Sequence, residues 1–220
     1  MINVNGLRKT YTRSHQQVHA LNDVSLKIDT GSFVAVTGPS GSGKTTLLLS
    51  LGGLIQPTEG HVKYGNQDLY TLPASRLAAF RNRTIGFVLQ TFNLVPYLTA
   101  VENVMLPMLP LGGNGTDPKK QAVDLLDRLG LADRKDFRPR ELSVGQQQRV
   151  AIARALANEP EVILADEPTG NLDPSLADEI LDVLENLNKT RGKTVVLVTH
   201  SPQAACRAST MLKLKDGQLC

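Results

Sequence analysis

The sequence GPSGSGKT at residues 38–45 is its clearest chemical pattern. The spacing matches G-x-x-x-x-G-K-[ST], in which glycines let the backbone bend so that successive N–H groups point inward around a phosphate. Lys44 adds a charge that can reach the β- and γ-phosphates of a nucleotide, and the Thr45 hydroxyl can bind Mg²⁺. A merely connecting turn would also tolerate glycines, but the spacing and the Lys-Thr ending favour a phosphate site. The candidate phosphate-binding residues are Gly38, Pro39, Ser40, Gly41, Ser42, Gly43, Lys44, Thr45 and Thr46.

Two adjacent carboxylates follow the apolar run VILA at residues 162–165. Asp166, at the tip of a buried strand, suits the hydration shell of a Mg²⁺ ion. Glu167 would point out of the strand end at the γ-phosphate, where a general base can orient and deprotonate water. The Asp-Glu-Pro sequence can equally be a strand terminator followed by a turn, so by itself it leaves both interpretations open.

Two other apolar runs also end in a polar side chain. Gln90 follows IGFVL, and His200 follows VVLVT. Gln90 can coordinate Mg²⁺ or the attacking water, and His200 can hydrogen-bond a γ-phosphate. A single Gln or His at a strand end is more often an ordinary hydrogen-bonded residue. Here several strand ends each carry a residue type suited to phosphate chemistry, which makes coincidence a poor explanation.

The elements that must position these residues follow from hydrophobic periodicity. Buried, β-branched runs such as SFVAVTG at 32–38 alternate with amphipathic patterns such as Leu176, Ile180 and Leu184. This alternation predicts a parallel, doubly wound sheet whose polar strand ends gather at one edge. The stretch from about 96 to 140 breaks this rhythm and is rich in helix formers and Pro, which predicts a mostly helical sub-domain inserted between two core strands.

Residues 142–146, LSVGQ, open another helical run, and Val144 stands where such a run usually has Gly. Ser143 and Gln146 have the spacing of a capping box, which makes Val144 the first helical residue. We expect an ordinary negative φ there, so the branched side chain is tolerated. A side chain at Gly145 would obstruct the approach of a phosphate to the helix N-terminus. The alternative is that Ser143 and Gln146 only cap the helix.

Taken in order, GPSGSGKT, Gln90, LSVGQ, VILADEP, GNLD at 170–173 and His200 resemble the nucleotide-binding domain of an ABC transporter across essentially the whole chain. The resemblance implies an α/β fold: a P-loop NTPase core with a mainly parallel sheet, an N-terminal antiparallel β part and an inserted α-helical sub-domain. We expect one ABC ATPase domain over residues 1–220. Its core with the β part would come from 1–95 and 141–220, and the helical sub-domain from about 96–140 with the signature helix.

The same resemblance implies an ATPase that uses ATP and Mg²⁺ and works as a head-to-tail dimer. Each ATP would lie between the phosphate loop of one copy and the signature of the other. The signature residues are Ser143, Val144, Gly145 and Gln146, the D-loop residue is Asp173, and Tyr11 would stack on adenine. The implied catalytic residues are Glu167, His200, Gln90 and Lys44, and the implied magnesium ligands are Thr45, Gln90 and, through water, Asp166. Asp173 also precedes Pro174, a favourable cap for a following helix.

The run after Gln90 and the GNLD segment are similar to LolD lipoprotein-release ATPases, MacB-type macrolide-exporter ATPases and the cell-division ATPase FtsE. Val144 and Leu89 depart from that pattern, the latter where an aromatic is expected. The implied partners are a second copy and integral membrane permease subunits, on the cytoplasmic, inner face of the membrane. Leu94, Val95, Tyr97 and Leu98 would form either the permease-docking surface or sub-domain core. A regulatory or cell-division role without transport, or a soluble non-transport ABC ATPase, would use the same site.

Composition narrows the classes of partner. The net charge is +3 with dispersed basic residues, and aromatics make up 4% with no Trp, so nucleic-acid binding is not expected. Two cysteines without a CxxC spacing indicate a reduced, cytosolic protein. No apolar run has the length of a membrane span. The chain stops where such an ATPase core would end, so we expect either a free-standing subunit or a domain excised from a longer protein.

Overall fold

The computed structural model describes residues 1–13, 16–111 and 117–220. Ten strands alternate with seven α-helices along this part of the chain. The strands are β1 (Ile2–Arg13), β2 (Gln16–Ile28), β3 (Phe33–Thr37), β4 (Glu59–Tyr64), β5 (Gln67–Asp68), β6 (Ile85–Leu89), β7 (Val162–Asp166), β8 (Thr194–Val198), β9 (Thr210–Lys215) and β10 (Gln218–Leu219). The helices are α1 (Lys44–Leu51), α2 (Ala74–Thr84), α3 (Ala100–Met105), α4 (Pro118–Arg128), α5 (Val144–Ala155), α6 (Pro174–Arg191) and α7 (Pro202–Ala205).

The strands form two sheets. An antiparallel sheet of four strands has the order β2-β1-β4-β5, and a six-stranded sheet has the order β10-β9-β3-β8-β7-β6. In the second sheet every neighbouring pair from β9 to β6 is parallel, and only β10 pairs antiparallel with β9. The expected mainly parallel core with an N-terminal antiparallel part is therefore confirmed.

The register of the parallel strands brings their carboxyl ends level. Leu89 on β6 pairs with Asp166 on β7, Asp166 pairs with Val198 on β8, and Val198 pairs with Val36 on β3. All positions of β7 and β8 are buried, because helices or the second sheet cover both faces of the parallel sheet. The residues that follow these strands therefore meet at one edge of the sheet.

Two hydrophobic clusters lie on opposite faces of the parallel sheet. One joins sheet residues such as Val88 and Ile163 to the buried sides of helices α3 to α6. The other joins Val36 and Leu164 to α1 and the antiparallel sheet. Within the described part of 96–140 the elements are α3, α4 and short 3₁₀ helices, as the sequence predicted. No helix in the described ranges combines the length and the apolar character needed to span a membrane.

Candidate functional site

The glycine-rich loop between β3 and α1 is wedged between two other strands. Gly38 has φ 152° and Gly43 has φ 100°, values that L side chains rarely adopt. A Cβ at Gly38 would lie 2.0 Å from the Leu214 carbonyl oxygen of β9, and one at Gly43 would lie 2.1 Å from the Ala20 oxygen of β2. The backbone here leaves no room for a side chain, so β9 and β2 fix the shape of the loop.

The loop also concentrates hydrogen-bond donors. The Nζ of Lys44 donates to the carbonyls of Gly38 at 2.9 Å and Pro39 at 2.8 Å, and the residue is 8% exposed. Gly43 caps α1 without a side-chain acceptor, which leaves the first-turn amides free to bind an anion. Ser42 Oγ is buried and has no partner among the described residues. Pro39, Ser40 and Gly41 form the exposed rim. These features fit a bound phosphate chain.

Thr45 and Asp166 meet across the base of the loop. The Thr45 hydroxyl donates to Oδ1 of Asp166 at 3.1 Å. Burial raises the pKa of the Asp166 carboxyl, and the hydrogen bond from Thr45 lowers it in part. A hydroxyl and a carboxylate side by side are hard oxygen ligands of the kind Mg²⁺ binds directly or through water. The sequence-predicted magnesium ligands Thr45 and Asp166 are thus brought together.

Glu167 and His200 form a contact that joins the ends of β7 and β8. Oε1 of Glu167 lies 2.7 Å from Nδ1 of His200, and Oε2 accepts from the His200 backbone N–H at 3.4 Å. Glu167 has φ 45°, a left-handed turn, and its own N–H donates to the Val198 carbonyl at 2.9 Å. This turn aims the carboxylate sideways at the neighbouring strand end. The sequence predicted both residues for the site but not their contact.

Gln90 lies beside the segment that follows Glu167. Its Nε2 is 3.2 Å from the place that a Cβ on Gly170 would occupy, and its carbonyl accepts from Asn171 Nδ2 at 3.4 Å. Among the described residues, no hydrogen bond joins the Gln90 side chain to Thr45 or Asp166. Gln90 is therefore at the correct edge of the sheet, and its coordination of Mg²⁺ stays a prediction.

The signature residues begin α5 with the predicted capping box. Gln146 N–H donates to Ser143 Oγ at 3.3 Å, and Ser143 N–H donates to Gln146 Oε1 at 3.0 Å. Val144 is the first helical residue, is 46% exposed and has no positive φ. The branched side chain is accommodated, as expected.

Gly145 has a different reason for being glycine than the one given above. It is buried, and a Cβ there would lie 2.9 Å from Cδ1 of Leu176 at the start of α6. The added side chain would therefore press on α6 within the same chain. Contact between α5 and α6 explains the glycine, and the sequence could not show it because Leu176 is distant along the chain.

Asp173 and Tyr11 lie at the periphery of the site. Asp173 Oδ1 accepts from the N–H groups of Ser175 at 3.1 Å and Leu176 at 3.2 Å, so the predicted capping role is confirmed. Tyr11, on β1, is 41% exposed, and Lys9 Nζ lies 5.1 Å from its ring centroid. The ring is accessible for stacking, and its contact with adenine stays a prediction.

Sequence reasoning missed two polar residues of α5 that hold the site loops. Gln148 is fully buried and donates from Nε2 to the Pro168 carbonyl at 2.6 Å, directly after Glu167. Arg154 donates to the turn that follows Gln90. The available signal for Gln148 was a polar residue on an otherwise apolar helix face with Ala151 and Ile152.

Comparison with known proteins agrees with this geometry. The ABC transporter family model matches residues 21–170. The chain is 48% identical over 219 residues to the macrolide export ATP-binding/permease protein MacB of Syntrophobacter fumaroxidans, covering 99% of this chain and 31% of that protein. It is 45% identical over 219 residues to the lipoprotein-releasing system ATP-binding protein LolD of Syntrophus aciditrophicus, covering 100% of this chain and 98% of that protein. The chain thus spans about a third of that MacB relative and nearly all of the LolD one.

Two solved structures share the whole fold. A dimeric bacterial ABC transporter cassette has a TM-score of 0.94 at 44% identity, and a dimeric post-hydrolysis cassette bound to ADP and Pi has 0.93 at 43%. Each comparison covers 100% of this chain and 96% of the solved one. With the phosphate loop, the acidic strand end and the signature helix in place, the chain belongs to the ABC transporter family, as one of its ATPase cassettes.

Proposed function

We propose that this cassette hydrolyses ATP between two head-to-tail copies and thereby drives a membrane permease of the lipoprotein-release or macrolide-export type. The observation that carries the proposal is the contact between Glu167 and His200 at the strand edge that also holds Lys44, Thr45 and Asp166. A base, a hydrogen-bond donor and a phosphate loop on one edge are the parts that phosphoryl transfer to water requires.

In this proposal the loop amides and Lys44 bind the β- and γ-phosphates, which requires Lys44 to exchange its contacts with the carbonyls of Gly38 and Pro39 for the nucleotide. Thr45, Asp166 and Gln90 would hold Mg²⁺, which supplies positive charge to the phosphate oxygens when it is bound. The chain's own donors therefore orient the γ-phosphate at the edge where Glu167 lies.

Glu167 accepts a proton from the attacking water as its oxygen bonds to the γ-phosphorus and the bond to the ADP oxygen breaks. His200 fixes the carboxylate through the 2.7 Å contact, and its other ring nitrogen is available to donate to the γ-phosphate. The left-handed turn at Glu167 keeps the carboxylate at the strand end, where a water can reach it.

The head-to-tail dimer is supported by the surface of the signature. Ser143 and Val144 are exposed at the start of α5, so a second copy can approach them. Gly145 faces α6 and contributes to packing within the chain. The helix N-terminus would then complete the partner's nucleotide site with backbone N–H groups. Tyr11 would stack on adenine, and Asp173 would lie at the interface in addition to capping α6.

The permease partner is proposed from the relatives and from the surface after Gln90. Leu94 packs against the core, whereas Tyr97 is 73% exposed. The exposed ring, with Val95 and Leu98 beside it, forms the candidate docking surface. A chain bound in this way would be peripheral on the cytoplasmic, inner face of the membrane.

The first test is the variant Glu167→Gln, with Glu161→Gln at the other end of β7 as the matched control. We expect Glu167→Gln to lose at least about 100-fold in ATP hydrolysis because the base is gone. It should still bind ATP with Mg²⁺ and elute as a dimer in size-exclusion chromatography, whereas the control stays active. Unchanged hydrolysis by Glu167→Gln, or a wild-type chain without ATPase activity, would contradict the proposal.

The second test identifies the partner. Tagged Glu167→Gln chain, held as the ATP-bound dimer, is used to capture proteins from detergent-solubilised native membranes, and they are identified by mass spectrometry. We expect one integral membrane permease. Recovery of only soluble proteins or nucleic acid would reject the transporter assignment while leaving the ATPase activity intact.

A further inference from the structure

Arg154, in the last turn of α5, grips the chain immediately after Gln90. Its Nη1 donates to the Asn93 carbonyl at 2.6 Å, and its Nη2 donates to the Phe92 carbonyl at 2.6 Å. The planar guanidinium fork can satisfy two neighbouring oxygens at once, which a lysine ammonium cannot do in the same fixed geometry. One side chain therefore sets the direction of two consecutive carbonyls.

The turn that Arg154 holds is conformationally unfavourable. Phe92 has φ 55° and Asn93 has φ 50°, so two successive non-glycine residues are left-handed. Within the turn, Thr91 Oγ1 donates to Asn93 Oδ1 at 2.8 Å and Phe92 N–H donates to the Leu89 carbonyl at 3.1 Å. Such conformations persist only where surrounding contacts impose them, and they cluster at functional sites.

The cost of placing Arg154 here indicates that the contact is specific. Burial lowers the pKa of the Arg154 guanidinium, because removal from water penalises the charged form. Asn93 lies three residues after Gln90, so rotation of this turn would re-aim the Gln90 side chain. The side chain lies beside Gly170, in the segment after Glu167.

From this geometry we propose that Arg154 is a positioning residue for ATP hydrolysis: it holds the 91–93 turn and thereby fixes the aim of Gln90. The inference rests on the proposed function, since it assigns Arg154 to the same site. It also gives α5 two tasks. Ser143 at its start is offered to the nucleotide of the partner, and Arg154, about 15 Å further along the helix at about 1.5 Å per residue, holds the turn of its own site.

The experiment uses the full chain with Arg154→Met, Arg154→Lys, Gln90→Ala and the double variant Arg154→Met with Gln90→Ala. The control is Arg149→Met, the same change on the same helix, where only a 3.9 Å ion pair with Glu179 is removed. The readouts are kcat, the Mg²⁺ concentration for half-maximal rate, and ATP affinity measured separately with a fluorescent nucleotide.

We expect Arg154→Met to lower kcat about tenfold and to raise the Mg²⁺ requirement, because small displacements of a positioned group cost that much or more. ATP affinity should change less than about twofold, since neither Phe92 nor Asn93 belongs to the phosphate loop. Arg154→Lys should restore part of kcat, and Arg149→Met should resemble wild type.

The double variant distinguishes positioning from a general structural role. If Arg154 acts through Gln90, removing Arg154 in the Gln90→Ala background should cause no further loss of kcat. Equal loss in both backgrounds, or wild-type kcat in Arg154→Met, would overturn the inference while the Glu167→Gln result still supports the ATPase. A wild-type chain that does not hydrolyse ATP would instead refute the proposed function itself. Should Arg154→Met fail to fold, the Arg154→Lys pair with and without Gln90→Ala gives the same comparison.

Discussion

Asp166 shows at the residue scale that the site is arranged for a ligand and against the stability of the free chain. The residue is 8% exposed, and burial raises the pKa of its carboxyl despite the Thr45 hydrogen bond. A raised folded-state pKa means that folding favours the protonated form. The contribution of Asp166 to stability is therefore greatest below its ordinary pKa and falls as the pH rises from there through the folded-state pKa.

This sign predicts the behaviour of Asp166→Asn without nucleotide. The variant keeps an acceptor for Thr45 but carries no charge, so its free energy of unfolding should exceed that of wild type at neutral pH. The difference should grow as the pH rises through the acid range and then stay constant. Urea unfolding at several pH values measures it, with exposed Asp133→Asn as the control. A difference of the opposite sign at neutral pH would show that the charge is stabilised in the free chain.

The chemistry of the site residues was accessible from the sequence, but several of their contacts were not. Lys44, Thr45 and Asp166 occupy the places that their motifs predicted because each lies within a few residues of a strand end. The contact of Glu167 with His200 depends on one left-handed φ, for which residue types give no signal. Arg154 and Gln148 depend on which loops α5 touches, and that follows from tertiary packing.

At the scale of elements, the start of α6 illustrates a feature that is both local and functional. Asp173 caps the helix by accepting from two backbone N–H groups, and Pro174 occupies the first helical position. These interactions lie within four residues, which is why the cap was predictable from Asp-Pro alone.

The cap predicts a clear separation of two effects at Asp173. Asp173→Ala should lower the free energy of unfolding by about 1 kcal/mol, because two N–H groups lose their acceptor. Asp173→Asn keeps an equivalent capping oxygen and should remain near wild-type stability in urea unfolding. Loss of ATP-dependent dimerisation in Asp173→Asn would then report on the interface, and equal destabilisation by both changes would refute the capping explanation.

Other elements were not predictable for reasons of composition. The strand β9 has only Leu214 fully buried, so TMLKLK gives little of the apolar signal that identified β3, β7 and β8. Its position beside β3 is decided by pairing, and it supplies the Leu214 carbonyl that shapes the phosphate loop. The parallel order of the central strands, by contrast, followed from their continuous burial.

On the scale of the whole molecule, the two hydrophobic clusters share one sheet. Leu126 of α4 belongs to the cluster on the helical face, Leu48 of α1 belongs to the other, and both are fully buried. The division into a core of 1–95 and 141–220 with a helical part of about 96–140 remains a prediction. The shared sheet favours joint unfolding of the two parts.

Leu126→Ala and Leu48→Ala test this joint unfolding. Each should lower the free energy of unfolding by about 2–5 kcal/mol, the usual cost of a large cavity. We expect hydrogen exchange in Leu126→Ala to become faster in β6 and β7 as well as in α4. Faster exchange confined to α3 and α4, with β7 unchanged, would mean that the helical part opens alone.

The left-handed backbone at Glu167 has a consequence for how this chain could change under selection. Glycine would adopt φ 45° without the steric penalty that a Cβ brings there. A library sorted only for heat resistance would therefore be drawn to substitutions at the position where the proposed base resides. Durable chains from such a sorting would include inactive ones, so thermal tolerance and turnover have to be selected together in this cassette.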